Sequence, residues 1–302
     1  MRILILGAGA IGGYFGARLI EAGQKVDFLV RPARAKRLRA NGLRVTRSNG
    51  DFAQPISCVT ETNDEYSLVF LSCKSYDLAS AIKAISPAVG KQTHVLPLLN
   101  GFSHMDALDS AFGNQRVFGG FAHISVTVNP DGSIEQFGEV ARLVYGPRDG
   151  EVVSDPVTQA MASMQAQVIQ TPAIVHLMWQ KFALITALAG ATCLCRGSVG
   201  DILATVDGRE FIERLYRECC ATAQASGYVL SADMQGEALA ALKTPTPLKA
   251  SMLRDIEGGR RSEGEHIVGD MLKRATALSV DAPMLLAAAT QLRVYDRLIG
   301  IS

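Results

Sequence analysis

Three glycines spaced as Gly7, Gly9 and Gly12, an arginine at 31 and a lysine at 181 are the residues whose types and positions can do chemistry in this chain. The glycines read GxGxxG, a spacing that permits a tight turn at the first, close backbone approach to an anion at the second, and tight packing of a helix on a strand at the third. The loop Gly7, Ala8, Gly9, Ala10, Ile11 and Gly12 would present the positive end of a helix to a pyrophosphate. About 20 residues on, where an acid would accept the ribose hydroxyl of NAD, the chain carries Arg31. A guanidinium pairs with a 2′-phosphate through fixed donors, so the pattern favours NADP over NAD. Arg34, Lys36 and Arg37 add positive charge to the same stretch, and the nearby acid Asp27 falls inside the expected strand rather than at its end. Lys181 heads a nearly uncharged apolar run. An ammonium there is either a helix-end lysine with a hydrated head or a desolvated proton donor.

Those residues need elements to hold them. Residues 3–6 read as a buried parallel strand, 14–22 as a helix ended by Gly23, and 25–30 as a second strand. The apolar runs 68–73 and 94–99 predict further parallel strands, with a crossover helix over 77–85 between them. Ligands bind at strand carboxyl ends in doubly wound sheets, which gives Lys74 and Asn100 weight. Alternating segments 120–128 and 133–145 flank Asn129-Pro130-Asp131-Gly132 and predict an antiparallel hairpin. Beyond Thr171-Pro172 the pattern is helical, with helices expected over 173–194, 208–226, 232–242, 248–257, 263–277 and 283–299. Ser262 and Glu265 fit a capping box for the fifth. The expected fold is α/β: a Rossmann-type doubly wound sheet over residues 1–171, followed by an all-helical domain over 172–302.

Composition agrees with two domains: 302 residues, 48% of them hydrophobic and 20% charged. A net charge of +1 gives no support for binding nucleic acid or an acidic membrane surface, so a small-molecule partner is expected. The apolar run 182–195, about 14 residues, falls short of the roughly 20 that span a bilayer and predicts a core helix. The N-terminal residues enter the first strand without a signal-like leader, which points to the cytoplasm. The six cysteines (58, 73, 193, 195, 219 and 220) contain no CxxC and no histidine spacing for zinc, so they read as reduced structural thiols with no metal. His123 and His266 read as core or surface histidines.

Together the motifs resemble the ketopantoate reductases, or 2-dehydropantoate 2-reductases: GAGAIGG at 7–13 with Arg31, CKSYD at 73–77, LLNG at 98–101, WQK at 179–181 and SMLRDIEGGRRSEGEHIVG at 251–269. The resemblance implies an NADP-dependent reductase (NADPH as reductant) with a 6-phosphogluconate dehydrogenase-like helical domain and a 2-oxo acid substrate in the cleft between domains. It implies that Lys181 is the general acid, that Asn100 positions lysine and substrate beside the nicotinamide, and that Glu263 holds the catalytic network and a substrate hydroxyl. Ser251 would meet the substrate carboxylate, and Arg31 with Lys74 the 2′-phosphate. A homodimer fits this reading, and the helices at 208–226 and 283–299 could supply its surface. The chain departs from the pattern at the substrate residues. Ile185, Ala189 and Val199 stand where the resemblance calls for asparagines, and Leu248 where it calls for a polar amide. Each buried polar group left unpaired costs roughly 1 to 3 kcal/mol, so the pocket should suit a less polar compound than ketopantoate, the default substrate. The alternative is a paralogous NADP-dependent 2-hydroxy-acid dehydrogenase. A nucleotide sensor without turnover would need only the first domain.

Overall fold

The computed structural model describes residues 1–148 and 155–300, which belong to two compact units: Met1–Leu99 with His104–Val175, and Asn100–Ser103 with His176–Ser302. In the first, β1 (Arg2–Leu6) leads into α1 (Ala10–Glu21) and β2 (Lys25–Leu29) into α2 (Pro32–Asn41). Three short strands follow, β3 (Leu43–Thr46), β4 (Phe52–Gln54) and β5 (Ser57–Val59). Then β6 (Leu68–Leu71) leads into α3 (Leu78–Ile85), and β7 (His94–Pro97) into α4 (Ser103–Phe112). The order β5-β2-β1-β6-β7 makes a wholly parallel sheet. This is the doubly wound Rossmann arrangement, with the winding reversed between β1 and β6. Ile3, Leu4, Ile5, Leu68, Val69, Phe70 and Leu71 are all 0% exposed, which is why these strands read as continuous apolar runs rather than alternating ones.

A second sheet is built on the predicted hairpin, β8 (Gly119–Val128) and β9 (Ile134–Gly146), whose turn closes through Asn129 N–H donating to the Ser133 carbonyl at 2.8 Å. After α5 (Asp155–Ala162), β10 (Gln167–Gln170) adds to β9 in parallel, as does β3, which pairs antiparallel with β4. The strands β3, β4, β5 and β10 are three or four residues long, too short to print a period on the sequence.

The second unit is helical: α6 (Ile174–Cys195), α7 (Val199–Leu203), α8 (Gly208–Ala225), α9 (Ala232–Lys243), α10 (Ser251–Glu257), α11 (Asp270–Ala277) and α12 (Pro283–Leu298). A π-helical turn, Glu265–Gly269, runs directly into α11. At 22 residues α6 exceeds its apolar run and is long and apolar enough to cross a membrane, yet 61% of its most apolar window is buried within the protein. Where α12 starts, the Glu218 carboxylate accepts the N–H groups of Met284 and Leu285 at 3.0 and 2.8 Å.

Two local expectations are corrected. The segment at 248 does not open a helix, because the carbonyls of Thr246 and Leu248 accept the N–H groups of Gly200 and Val199 at 2.8 and 2.9 Å, and α10 starts at Ser251. No capping box joins Ser262 to Glu265: Ser262 donates through N–H and hydroxyl to Asp296 at 3.1 and 2.7 Å, and Glu265 pairs with Arg293. The box forms instead between Ser198 and Asp201, heading α7.

Candidate active site

At the end of β1 the chain turns at Gly7, whose φ of +90° lies in the left-handed region, and Gly7 N–H donates to the Leu29 carbonyl at 2.9 Å. Gly9 caps α1, whose first turn carries no acid. A Cβ at Gly9 would meet nothing within 4 Å, whereas one at Gly12 would collide with the Ser72 hydroxyl and the Gly7 carbonyl. The loop therefore has open room in front of Gly9 and a close-packed floor at Gly12. That is the shape a pyrophosphate at a helix N-terminus requires, so these residues fit a dinucleotide.

Arg31 lies between β2 and α2, its side chain 78% exposed, and its Nη2 is 2.9 Å from Oδ1 of Asp77. Lys74 follows β6 and starts the short 3₁₀ turn Ser75–Asp77, its carbonyl accepting Asp77 N–H at 2.9 Å. Arg31, Lys74 and Asp77 thus stand at the carboxyl ends of the two strands flanking β1. Arg34 and Arg37 are less free to meet a phosphate than their sequence position implies. Arg34 donates to the carbonyls of Ala8 and Gly132 at 2.8 and 3.1 Å, and Arg37 to that of Pro130 at 3.1 Å, tying the glycine loop to the hairpin turn. Asp27 is engaged elsewhere, accepting from Arg2, Tyr66 and Ser57 at 3.1, 3.0 and 2.5 Å. Burial pulls its carboxyl upward, but these hydrogen bonds prevail and hold it below the usual range.

In the helical unit the segment Asn100–Ser103 packs against the part of α6 that carries Lys181. The Phe102 ring lies 4.9 Å from that of Trp179 and 5.6 Å from that of Phe182, centroid to centroid. The Arg274 guanidinium sits 5.7 Å over Phe102. Gly101 adopts φ +81°, and a Cβ there would stand 3.0 Å from the His266 carbonyl. Lys181, on α6, is only partly accessible, and burial lowers its pKa to about 8.

His266 joins the loop to the π turn. Its Nδ1 is 2.5 Å from the Ser103 hydroxyl, and the ring also hydrogen-bonds the Asn100 backbone. Glu263 immediately precedes the helical turn, its carbonyl accepting the N–H groups of His266 and Ile267, both at 3.1 Å. Burial lowers the His266 pKa, against the pull of the Glu263 and Asp270 charges and the Asn100 hydrogen bond. The His266 ring thus hydrogen-bonds the Asn100 backbone and feels the charge of Glu263.

Ile185 and Ala189 follow Lys181 at one and two helical turns and share its face of α6. Val199 starts α7, fully buried, and its N–H donates to the Leu248 carbonyl. Ala250 N–H donates to the Thr192 hydroxyl at 3.4 Å, so the end of α6, the start of α7 and the stretch before the exposed Ser251 converge. None of Ile185, Ala189, Val199 and Leu248 offers a hydrogen-bonding side chain. Among the described residues no group of His, Cys, Asp or Glu could hold a metal ion. Sequence reasoning missed the Ser103–His266 pair, because a lone histidine gives no sign of a partner 163 positions away. It also gave Asp77 no role of its own, since in sequence Asp77 only closes the CKSYD motif and opens the expected crossover helix.

A family model described as ketopantoate reductase PanE/ApbA matches residues 3–150, and one described as ketopantoate reductase PanE/ApbA C terminal matches 173–296. An uncharacterised oxidoreductase of Bacillus subtilis, YkpB, is 32% identical over 300 residues, covering 98% of this chain and 99% of that protein. The 2-dehydropantoate 2-reductase of Mesorhizobium japonicum is 27% identical over 328 residues, covering 97% of each. Among solved structures, a PanE/ApbA family ketopantoate reductase from Ralstonia eutropha superposes with a TM-score of 0.90 at 25% identity, covering 99% of both chains. D-mandelate dehydrogenase with NADH and anilino(oxo)acetate shares the fold at a TM-score of 0.89 and 20% identity over 100% of both chains.

Proposed function

Because the chain belongs to the ketopantoate reductase PanE/ApbA family and is an oxidoreductase of that family, we propose that it reduces the carbonyl of a 2-oxo acid with NADPH, using Lys181 as proton donor. The observation that carries this reading is the partly accessible Lys181, its pKa lowered to about 8, on a helix packed against the Asn100–Ser103 segment. NADPH would supply the hydride that reduces the carbonyl carbon. Lys181 Nζ would give its proton to the carbonyl oxygen, and a lysine titrating near neutrality is a more effective donor than an unperturbed one. Its ammonium would also stabilise the charge growing on that oxygen. Asn100 would orient the lysine and the substrate, and Glu263 would hold a substrate hydroxyl and the charge balance of the site. Ser251 would meet the substrate carboxylate.

On the cofactor side, the open face of Gly9 and the N-terminus of α1 would take the pyrophosphate. Arg31 and Lys74 would take the 2′-phosphate. The apolar Ile185, Ala189, Val199 and Leu248 favour a substrate with a less polar side chain than ketopantoate. The same residues support a second reading, an NADP-dependent 2-hydroxy-acid dehydrogenase working in the opposite direction. The test is to incubate the purified protein with NADPH and a panel of 2-oxo acids, ketopantoate included, while following nicotinamide absorbance. Turnover is expected, faster on branched or aromatic 2-oxo acids than on ketopantoate. NADPH binding without turnover of any panel member would overturn the enzyme reading.

A further inference from the structure

The ion pair between Arg31 and Asp77 places an acid where the dinucleotide fingerprint lacks one. In the usual pattern a carboxylate at the end of the second strand accepts the ribose hydroxyls of NAD. Here that position holds Arg31, and the acid comes from the other side of β1, from the turn after β6. The Asp77 carboxylate is not spent on capping: α3 starts at Leu78 with no side-chain cap hydrogen bond from Asp77. Among the described residues its ion-pair partner is Arg31 alone, at 2.9 Å, and its side chain is 36% exposed. The two groups therefore compete for one purpose. A guanidinium held by a carboxylate is partly neutralised toward a 2′-phosphate, and the carboxylate itself repels that phosphate.

We propose that Asp77 sets the balance between NADPH and NADH: it draws Arg31 away from a 2′-phosphate and offers the adenosine ribose diol of NADH a carboxylate acceptor. The proposal rests on the reading of Arg31 as the phosphate-facing residue. Asp77 is thus a specificity-determining residue that lets NADH compete where Arg31 and Lys74 alone would favour NADPH strongly. The contribution is electrostatic between exposed groups, so it weakens as salt is added.

Titration of the purified full chain with NADPH and with NADH, read by nicotinamide fluorescence at low and high salt, tests the proposal without knowledge of the substrate. Asp77→Asn keeps the side-chain shape and removes the charge. It is expected to tighten NADPH and weaken NADH, moving the ratio of dissociation constants about tenfold toward NADPH at low salt and less at high salt. Arg31→Ala is the companion variant and should weaken NADPH while changing NADH little. If Asp77→Asn leaves the ratio unchanged while Arg31→Ala weakens NADPH, the role of Asp77 is overturned and the NADPH reading stands. If Arg31→Ala leaves NADPH binding intact, the phosphate assignment fails and the proposal fails with it.

Discussion

The Ser103 hydroxyl lies 2.5 Å from Nδ1 of His266, a hydrogen bond that fastens the loop carrying Asn100 to the helical unit's π turn. The ring also hydrogen-bonds the Asn100 backbone, so one imidazole links both ends of the Asn100–Ser103 segment to the π turn. π turns recur at functional sites, and this one starts two residues after Glu263.

His266 should make the protein acid-sensitive. Burial holds its pKa below the ordinary 6.5, against Glu263, Asp270 and the Asn100 hydrogen bond. As the pH falls below 6.5 the unfolded chain therefore binds the extra proton first, and stability is lost in that direction. Denaturant unfolding at pH 7.5 and pH 5.5 checks this: wild type is expected to lose more stability on acidification than His266→Gln. Equal losses would remove His266 from the effect. Ser103→Ala, which removes the hydroxyl that meets Nδ1, should cost about 1 kcal/mol at neutral pH.

Lys181 should show two pH signatures. Reduction needs the protonated lysine, so turnover is expected to fall as pH rises through about 8. Lys181→Ala should lower turnover at least about 10²-fold and leave NADPH affinity nearly intact. The stability signature has the opposite slope. Between the folded value of about 8 and the ordinary 10.5, the unfolded chain holds the proton that the folded chain has released, so this residue's contribution to stability rises with pH. Below pH 8 the burial penalty is complete. Lys181→Met should then be more stable than wild type by on the order of 2 kcal/mol, an advantage that vanishes above pH 10.5. A pH-independent difference between the two proteins would refute the assignment.

The glycine loop predicts opposite outcomes at neighbouring positions. Gly9 has φ −83° and open space where a Cβ would stand, so Gly9→Ala should fold with stability within about 0.5 kcal/mol of wild type and bind NADPH roughly tenfold more weakly. Gly12→Ala must push aside the Ser72 hydroxyl and the Gly7 carbonyl, and should lose about 1 to 3 kcal/mol of stability. Thermal unfolding with and without NADPH separates the two. A Gly9→Ala protein that binds NADPH as wild type does would deny that the space in front of Gly9 receives the pyrophosphate.

Much of this was legible in the residues. Continuous apolar strands such as Leu68–Leu71, the glycine spacing and the hairpin tetrad carry local signals, because burial on both faces, a φ that favours glycine and a tight turn each constrain residue type at the spot. The chain itself determined the parallel sheet, the helical second half, and the identities of Lys181, Asn100 and Glu263 as residues to watch. It misplaced the start of α10, where the backbone bonds of Thr246 and Leu248 to α7 outweigh local helix signals, and it expected a capping box at Ser262, which Asp296 engages instead. Only the tertiary structure decided that Arg34 serves the Ala8 and Gly132 carbonyls, that Asp77 engages Arg31, and that Ser103 meets His266. The physical reason is common to all three: hydrogen bonds and ion pairs act over about 3 Å, and which groups come that close is set by how the chain returns on itself, which no residue's type or spacing records.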